Sequence, residues 1–459
     1  MEVFNRSSNL PVSCEEAFAW HERPGAFERM QPPWEKLRIL ERKGTIYDGD
    51  SIKLKVKSGC FSFLMYAKHQ NYIKNKQFED ILLKSPFRSW KHTHSFENLD
   101  INKSKLIDNI KYELPFGFLS PFINRTLIKN KLDNLFAYRH RTLNNDLFLH
   151  SKYSKEKLKI LVTGASGMVG KDLVPFLTTG GHEVICLSRK APQNDSSGIV
   201  YWNSEKKNFI NPQLLENLDA VVHLAGENIA AKKWTVARKL QLTHSRVHFT
   251  QDLCKALATL QCLPKVFVSA SGIGIFGSRD GSDILTEESS VGDGFLAKLA
   301  QDWENASLSL QEAGVRVVNL RFGAIVSSNG GILKKLVTPF KLFVGGPIGS
   351  GRQMLPWISM VDVLGLILFS LSNLKVVGPV NAVSPQVVTN AQFSEILAQA
   401  LDRPNSLRIP ELFVELFFGE MGKSVLLSGQ NAKPQKILQL GYEFIQPHLH
   451  DALSYYLPV

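Results

Sequence analysis

The chain has 459 residues, with 54 Lys and Arg against 42 Asp and Glu and a formal net charge of +12. An apolar content of 44% with 21% charged residues excludes a mostly disordered chain, and the length suggests two or three domains. No apolar run reaches the ~18 residues that span a bilayer. The polar start is not that of a secretory signal, and the five cysteines, none in a Cys-x-x-Cys pair, argue against disulfides and structural zinc and for a reducing cytoplasm.

The first module covers residues 1–150. Ser13-Cys-Glu-Glu16 ahead of Ala17, Phe18 and Trp20 reads as a capping box that opens a helix. Tyr47-Asp-Gly-Asp50 is a hairpin-like turn. Beyond it Ile52, Leu54 and Val56 alternate with Lys53, Lys55 and Lys57, the period of a strand with one wet face. Residues 51–158 hold 20 basic and 9 acidic side chains, an excess that could meet nucleic acid, anionic lipid or an acidic ligand. The alternation assigns it to a solvated face, and no nucleic-acid motif accompanies it. Trp90, His92, His94 and Phe96 alternate with Lys91, Thr93 and Ser95, predicting another strand. His92-x-His94 has the spacing of a ligand pair, but no third ligand is marked. Both histidines therefore read as packed and hydrogen-bonded, and no metal is assigned. Ile123, Leu127, Leu132, Leu135 and Phe136 predict a late helix lying on the sheet. Residues 141–158 read as connection, with the linker proper at 151–158. A helix, then strands, then a long helix define an α+β helix-grip arrangement.

Trp20-His-Glu-Arg-Pro-Gly-Ala-Phe27, Pro32-Pro-Trp34 and Phe136-Ala-Tyr-Arg-His140 resemble N-terminal extensions fused to one branch of epimerase-like proteins. The order of elements resembles the START-like (polyketide cyclase/lipid-transport) superfamily. That resemblance implies an apolar cavity and a small hydrophobic ligand.

Residues 159–385 read as a doubly wound α/β fold. Lys159-Ile-Leu-Val-Thr163 is a short apolar run suited to a buried parallel strand. It leads into Gly164-Ala-Ser166-Gly167-Met168-Val169-Gly170 and then an amphipathic helix start. Glycines at this spacing serve a tight turn, close approach to a pyrophosphate, and close helix–strand packing. The free amides of the helix start suit phosphate. Two further strands are expected, in Gly180–Arg189 and Asp219–Gly226. The second strand ends in Ser188-Arg189 where an NAD-selective fold usually has Asp or Glu. Arg189 either clamps a 2′-phosphate or is simply exposed, and the missing carboxylate favours NADP(H).

Val162–Gly170, His223-Leu-Ala-Gly-Glu-Asn-Ile229, Ser269-Ala-Ser-Gly-Ile-Gly-Ile-Phe-Gly277, Asp302-Trp-Glu304, Leu320-Arg-Phe-Gly323, Gly345–Gln353, Trp357–Asp362 and Leu426–Gln430 follow one another in order. Residues 159–459 thereby resemble the extended short-chain dehydrogenase/reductase superfamily, and within it the NAD-dependent epimerase/dehydratase type often labelled cell-division inhibitor. The resemblance implies that Ala225 and Gly226 line the cofactor. It implies a catalytic hydroxyl on the strand ending at Ser271, and places Arg321 before a loop that closes over substrate and in the cofactor set. Residues 386–459, with helices expected from Thr389 and Glu411, resemble a small C-terminal domain of unknown function on the substrate side.

That superfamily works through Tyr-x-x-x-Lys, in which a tyrosinate moves the substrate hydroxyl proton. Here Phe295 stands at the Tyr position and Leu299 at the Lys position, and no tyrosine occurs between Trp202 and Gly441. Ser271 alone is a poor base. Glu227, as a carboxylate near the nicotinamide end or a helix-start charge, and Lys298, on the helix that faces the cofactor in relatives or as a surface residue, are the substitutes. Asp362 reads as a cap or a substrate-side anchor, while Asp302 and Glu304 read as exposed positions around a core Trp303. Arg352, in a glycine loop, holds an anion or closes a structural salt bridge. Two readings follow: an NADP(H)-dependent oxidoreductase or epimerase acting on a small organic substrate, or a non-catalytic NADP(H)-responsive sensor.

Overall fold

The computed structural model describes residues 1–58, 61–115, 128–189 and 198–457. The chain divides into a unit built on residues 1–155 and a second on residues 156–457, with 175–181 grouped with the first.

The first unit is an antiparallel sheet with helices. Its strands are β1 (Glu2–Leu10), β2 (Lys36–Lys43), β3 (Ser51–Ser58), β4 (Phe61–Ile73), β5 (Gln77–Lys84), β6 (Ser89–Asp100) and β7 (Lys103–Glu113). The sheet order is β1-β7-β6-β5-β4-β3-β2, so a meander from β2 to β7 is completed by the first strand pairing with the last. The sequence pattern found β3 and β6 but not β1, where Asn5, Arg6, Ser7 and Ser8 obscure the alternation. Lys53, Lys55 and Lys57 are exposed, as the wet-face reading requires.

The helix Cys14–Glu22 begins at Ser13, whose hydroxyl accepts from the Glu16 amide. The reciprocal half of the capping box is replaced, because the Glu16 carboxylate pairs with Arg23. Phe18 and Trp20 are fully buried and join Phe78, Phe96, Leu106, Leu143 and Leu147 in one core. Burying side chains of this size contributes roughly 1.5–3 kcal/mol each.

The late helix runs over Lys129–Tyr153, and Ile123 and Leu127 of its expected stripe lie outside the described residues. The helix takes in 141–153, most of the stretch expected to be connection. Leu143, Leu147 and Leu149 are buried there, and Asp146 forms a bidentate pair with Arg29 at 2.6 and 2.8 Å. Apolar burial, rather than the local run of polar residues, sets where it ends.

The second unit carries an eight-stranded sheet. It contains β8 (Lys159–Thr163), β9 (Glu183–Ser188), β10 (Ile199–Asn203), β11 (Asn208–Ile210), β12 (Ala220–His223) and β13 (Val266–Gly272), followed by strands Arg316–Phe322 and Gly378–Ala382. The order is β11-β10-β9-β8-β12-β13 and then those two, all parallel except β11. The chain leaves β8 toward β9 on one side and later returns to pair β12 on the other, which makes the β8/β12 edge the topological switch point. β8, β12 and the middle of β13 are buried on both faces, as all-parallel strands require.

The C-terminal segment belongs to this unit. Asn431–Ala432 pairs with Ile284–Leu285, and Val388–Thr389 with Met354–Leu355. The helix Asn390–Leu401 begins with a complete capping box of Thr389 and Gln392. Among the described residues no helix is long and apolar enough to cross a membrane. The described cysteines are free, and burial pushes the Cys254 thiol up to about 12.

Candidate nucleotide and substrate site

β8 ends at Thr163, and the chain turns through Gly164 into a helix over Met168–Thr179. Gly164 has φ +71°, and a Cβ there would lie 2.7 Å from the Leu224 carbonyl carbon and 2.8 Å from the Ala225 amide nitrogen. Only glycine lets this turn lie against the end of β12. At Gly170 a Cβ would come within 2.4 Å of the Gly164 carbonyl oxygen, so the first helical turn packs backbone to backbone on the loop. At Gly167 the added carbon would meet only that same oxygen, at 3.0 Å, and the residue is otherwise open. The open glycine lies at the helix N-terminus beside exposed Ser166, with half-buried Met168 and Val169 following. The turn leaves a cradle that a side chain would fill, with helix-start amides available to an anion.

The sheet order brings the other expected cofactor residues to the same edge. Ala225 and Gly226 follow β12, next to β8, and Ser188 and Arg189 end β9 on its other side. Arg189 is exposed and makes no ion pair among the described residues. Under the cradle, His223 is fully buried, with Nδ1 2.7 Å from the Thr163 hydroxyl and Nε2 2.9 Å from that of Thr250. Burial pushes this imidazole down to about 3, so it is neutral at physiological pH.

One strand further, Ser271 reaches the end of β13, register-paired with Arg321. Its hydroxyl donates to Glu304 Oε1 at 2.7 Å. Arg321 grips the same carboxylate with Nε at 2.8 Å and an Nη at 2.9 Å, and its other Nη donates to the Glu287 carbonyl oxygen. Glu304 is thus not an exposed helix position. Its side chain is only 12% exposed, and the 11-residue helix Phe295–Asn305 aims it at the sheet. Arg321, expected among the cofactor residues, is buried with its guanidinium engaged by Glu304. Sequence reasoning placed Trp303 in the core correctly and missed its neighbour, although Asp302-Trp-Glu304 was among the motifs that carried the resemblance.

The proposed proton-transfer substitutes do not join this cluster. Lys298 is 75% exposed and pairs with Asp302 at 3.1 Å. Glu227 lies in a coil rather than at a helix start, exposed and paired with Arg238 of the helix Val236–Thr243. Phe295 packs edge-on against Trp234 at 5.2 Å, and Leu299 is 4% exposed in an apolar cluster.

The loop Gly345–Arg352 is held by the C-terminal segment. The Gly349 amide donates to the Ile409 carbonyl at 2.8 Å, the Ser350 amide to Glu411 Oε1 at 3.2 Å, and a Cβ on Gly346 would overlap the Leu407 carbonyl oxygen. Arg352 is exposed and makes no ion pair among the described residues, which leaves its fork open to an anion. Asp362 is the N-terminal cap partner of Ser359 and is fully buried. Its carboxylate also accepts from the Ile445 and Gln446 amides at 2.7 and 3.0 Å. Burial holds its pKa above the usual carboxylate value against these hydrogen bonds. It is a structural anchor of the chain end.

A parallel sheet with a glycine turn at its switch point defines a dinucleotide-binding Rossmann-type protein. Residues 160–383 match the NAD dependent epimerase/dehydratase family, and residues 409–455 match a domain of unknown function, DUF1731. The epimerase family protein Mb2239 of Mycobacterium bovis is 36% identical over 296 residues, 64% of this chain and 96% of that protein. The chain therefore belongs to the epimerase family.

Two solved structures extend the likeness. The crystal structure of human epimerase family protein SDR39U1 with NADPH is 33% identical, covers 65% of this chain and 98% of its own, and has a TM-score of 0.59. A nucleoside-diphosphate sugar epimerase from Corynebacterium glutamicum is 29% identical and covers 99% of this chain and 90% of its own, with a TM-score of 0.79.

Proposed function

We propose that the chain is an NADP(H)-binding oxidoreductase or epimerase acting on a small organic substrate, with proton transfer that does not use a Tyr-x-x-x-Lys pair. The observation that carries this is the cradle of Gly164, Gly167 and Gly170 against the end of β12. The NADPH in the human relative's structure supports the choice of cofactor, as does Arg189 where a carboxylate would repel a 2′-phosphate. Amides at the start of the helix Met168–Thr179 hold the pyrophosphate, the Gly167 amide being engaged by the Gly164 carbonyl, Arg189 holds the 2′-phosphate, and Ala225 with Gly226 line the pocket. The bound cofactor supplies hydride transfer.

Ser271 is the catalytic hydroxyl in this reading. Because it donates its proton to Glu304, the side it turns to a substrate accepts hydrogen bonds. Glu304 is the group behind it, and Arg321 fixes that carboxylate rather than the cofactor. Lys298 and Glu227, each held in an ion pair away from Ser271, are not assigned the proton transfer in this reading. Arg352 binds an acidic group of the substrate, and a nucleoside diphosphate, the class named for the Corynebacterium relative, has the charge to suit it. The relatives do not favour the sensor reading. The first unit is START-like: its seven-stranded antiparallel sheet and long C-terminal helix support this assignment.

The test is a titration with NADPH and NADH, repeated on Arg189→Ala. Preferential NADPH binding that the substitution abolishes is expected. Equal NADH binding by the unaltered chain would remove the cofactor assignment.

A further inference from the structure

The inner face of the N-terminal sheet carries a group of buried polar side chains that the nucleotide site does not use. Cross-strand register builds it: Asp80 on β5 lies opposite His92 on β6, and His94, two residues on and hence on the same face, lies opposite Asp108 on β7. One donor atom each from Asp80, His92 and His94 lie within 4.8 Å of one another. Asp80 Oδ2 is 3.0 Å from His92 Nδ1 and 3.9 Å from His94 Nε2.

Behind the imidazoles stands a second carboxylate. Asp108 Oδ1 is hydrogen-bonded to His92 Nε2 at 3.0 Å, and Oδ2 to His140 Nε2 at 2.6 Å. The far nitrogen of His140 meets the Ser8 hydroxyl at 2.7 Å. His94 Nδ1 lies 2.6 Å from Asp108 Oδ1 but off the line of a hydrogen bond, which makes it a buried polar atom without an aligned partner. A carboxylate that takes the N–H of an imidazole directs the opposite nitrogen's lone pair outward, the arrangement found behind metal-binding histidines. Here Asp108 holds His92 in this way and lies beside His94, while His92 Nδ1 and His94 Nε2 lie 3.0 and 3.9 Å from the Asp80 oxygen. Phe78 stacks on His94 at 4.2 Å and Phe136 meets His92 edge-on at 5.3 Å, so packing holds both rings. Arg139 interacts electrostatically with Asp80 and Asp108 but forms no ion pair with either among the described residues, its Nε donating to the Met30 carbonyl oxygen.

We propose that Asp80, His92 and His94 bind one divalent transition-metal ion of the zinc class, with Asp108 orienting His92 through a hydrogen bond and standing beside His94. Two imidazole nitrogens and one carboxylate oxygen suit zinc rather than magnesium or calcium, which take all-oxygen sets. Tetrahedral zinc with bonds of about 2.1 Å spaces its ligand atoms about 3.3 Å apart. Both Asp80 distances come to that value with movements of a few tenths of an ångström. Asp80 is 21% exposed while His92 and Asp108 are buried, so the ion enters at Asp80. Three protein donors leave a fourth position for water or a ligand oxygen. The site is independent of the nucleotide reading and stands or falls without it.

The test uses the full-length chain, stripped with a chelator, dialysed against zinc and assayed for bound metal, with cobalt(II) as a spectroscopic probe. One zinc per chain and the intense visible bands of tetrahedral cobalt are expected. Asp80→Asn and His94→Gln, each checked for folding by circular dichroism, should lose both. Asp108→Asn should weaken binding by about 10–100-fold. The exposed pair His244 and His248, whose rings lie 5.6 Å apart on a helix, is the control, and the double variant His244→Gln/His248→Gln should bind as the unaltered chain does. No stoichiometric zinc in the unaltered chain would overturn the proposal. So would undiminished binding by folded Asp80→Asn, or loss that follows the His244/His248 variant instead.

Discussion

Replacing Glu304 with alanine tests the architecture around Ser271 most directly. Arg321 is 8% exposed, and two of its nitrogens bond Glu304 at 2.8 and 2.9 Å. Among the described residues, removing the carboxylate leaves a buried guanidinium with the Glu287 carbonyl as its hydrogen-bond partner and the Phe276 ring beneath it. Breaking one side of such a pair costs about 3–5 kcal/mol. The lost Ser271 hydrogen bond adds about 1 kcal/mol. Together these lower the folding equilibrium constant of the second unit by roughly three to four orders of magnitude, at 1.4 kcal/mol per factor of ten. Denaturant unfolding should be followed through the transition that NADPH shifts, which isolates this unit from the other. Removing both charges as Glu304→Ala/Arg321→Met should recover most of the loss, because a buried pair replaced by apolar groups is often close to neutral. A loss below about 1 kcal/mol in the single variant, or no recovery in the double, would mean that the pair is solvated and that Ser271 is not held by it.

Three other outcomes follow from particular contacts. Asp362→Ala deprives the Ile445 and Gln446 amides of their acceptor, so thermal unfolding should show a loss of about 2–4 kcal/mol; an unchanged melting temperature would contradict the anchoring role. Gly164→Ala must hold a Cβ at φ +71°, about 1–2 kcal/mol before its contact with Leu224 is counted, and NADPH titration should show lost affinity. The neutral His223 has a folded pKa of about 3, below the ~6.5 of an unfolded histidine. Its contribution to stability is therefore full above about pH 6.5 and falls by ~1.4 kcal/mol per pH unit below it, as the unfolded state takes up the proton first. Unfolding free energies of the unaltered chain and His223→Gln should differ by a constant above pH 6.5 and converge by about 2 kcal/mol at pH 5; parallel curves down to pH 5 would refute the buried neutral state.

Much of this architecture is local and could be read along the chain. Lysines alternating with Ile52, Leu54 and Val56 specify a strand and its wet face, because side chains on a strand alternate with period two. The glycine spacing after Thr163 specifies a strand–turn–helix, because only glycine tolerates that turn and that packing distance. The missing tyrosine between Trp202 and Gly441 is likewise a property of composition alone. Three further features depend on distant residues meeting. Glu304 reaches Arg321 and Ser271 because a helix packs its inner face on two adjacent strands, whereas the local sequence around Trp303 suggests an exposed helix position. The stretch 141–153 is helical because its leucines find an apolar core, which a window of polar residues does not disclose. Asp80 becomes a third donor beside His92 and His94 through the register of β5 on β6. Twelve positions separate it from His92 along the chain; only strand pairing brings them face to face.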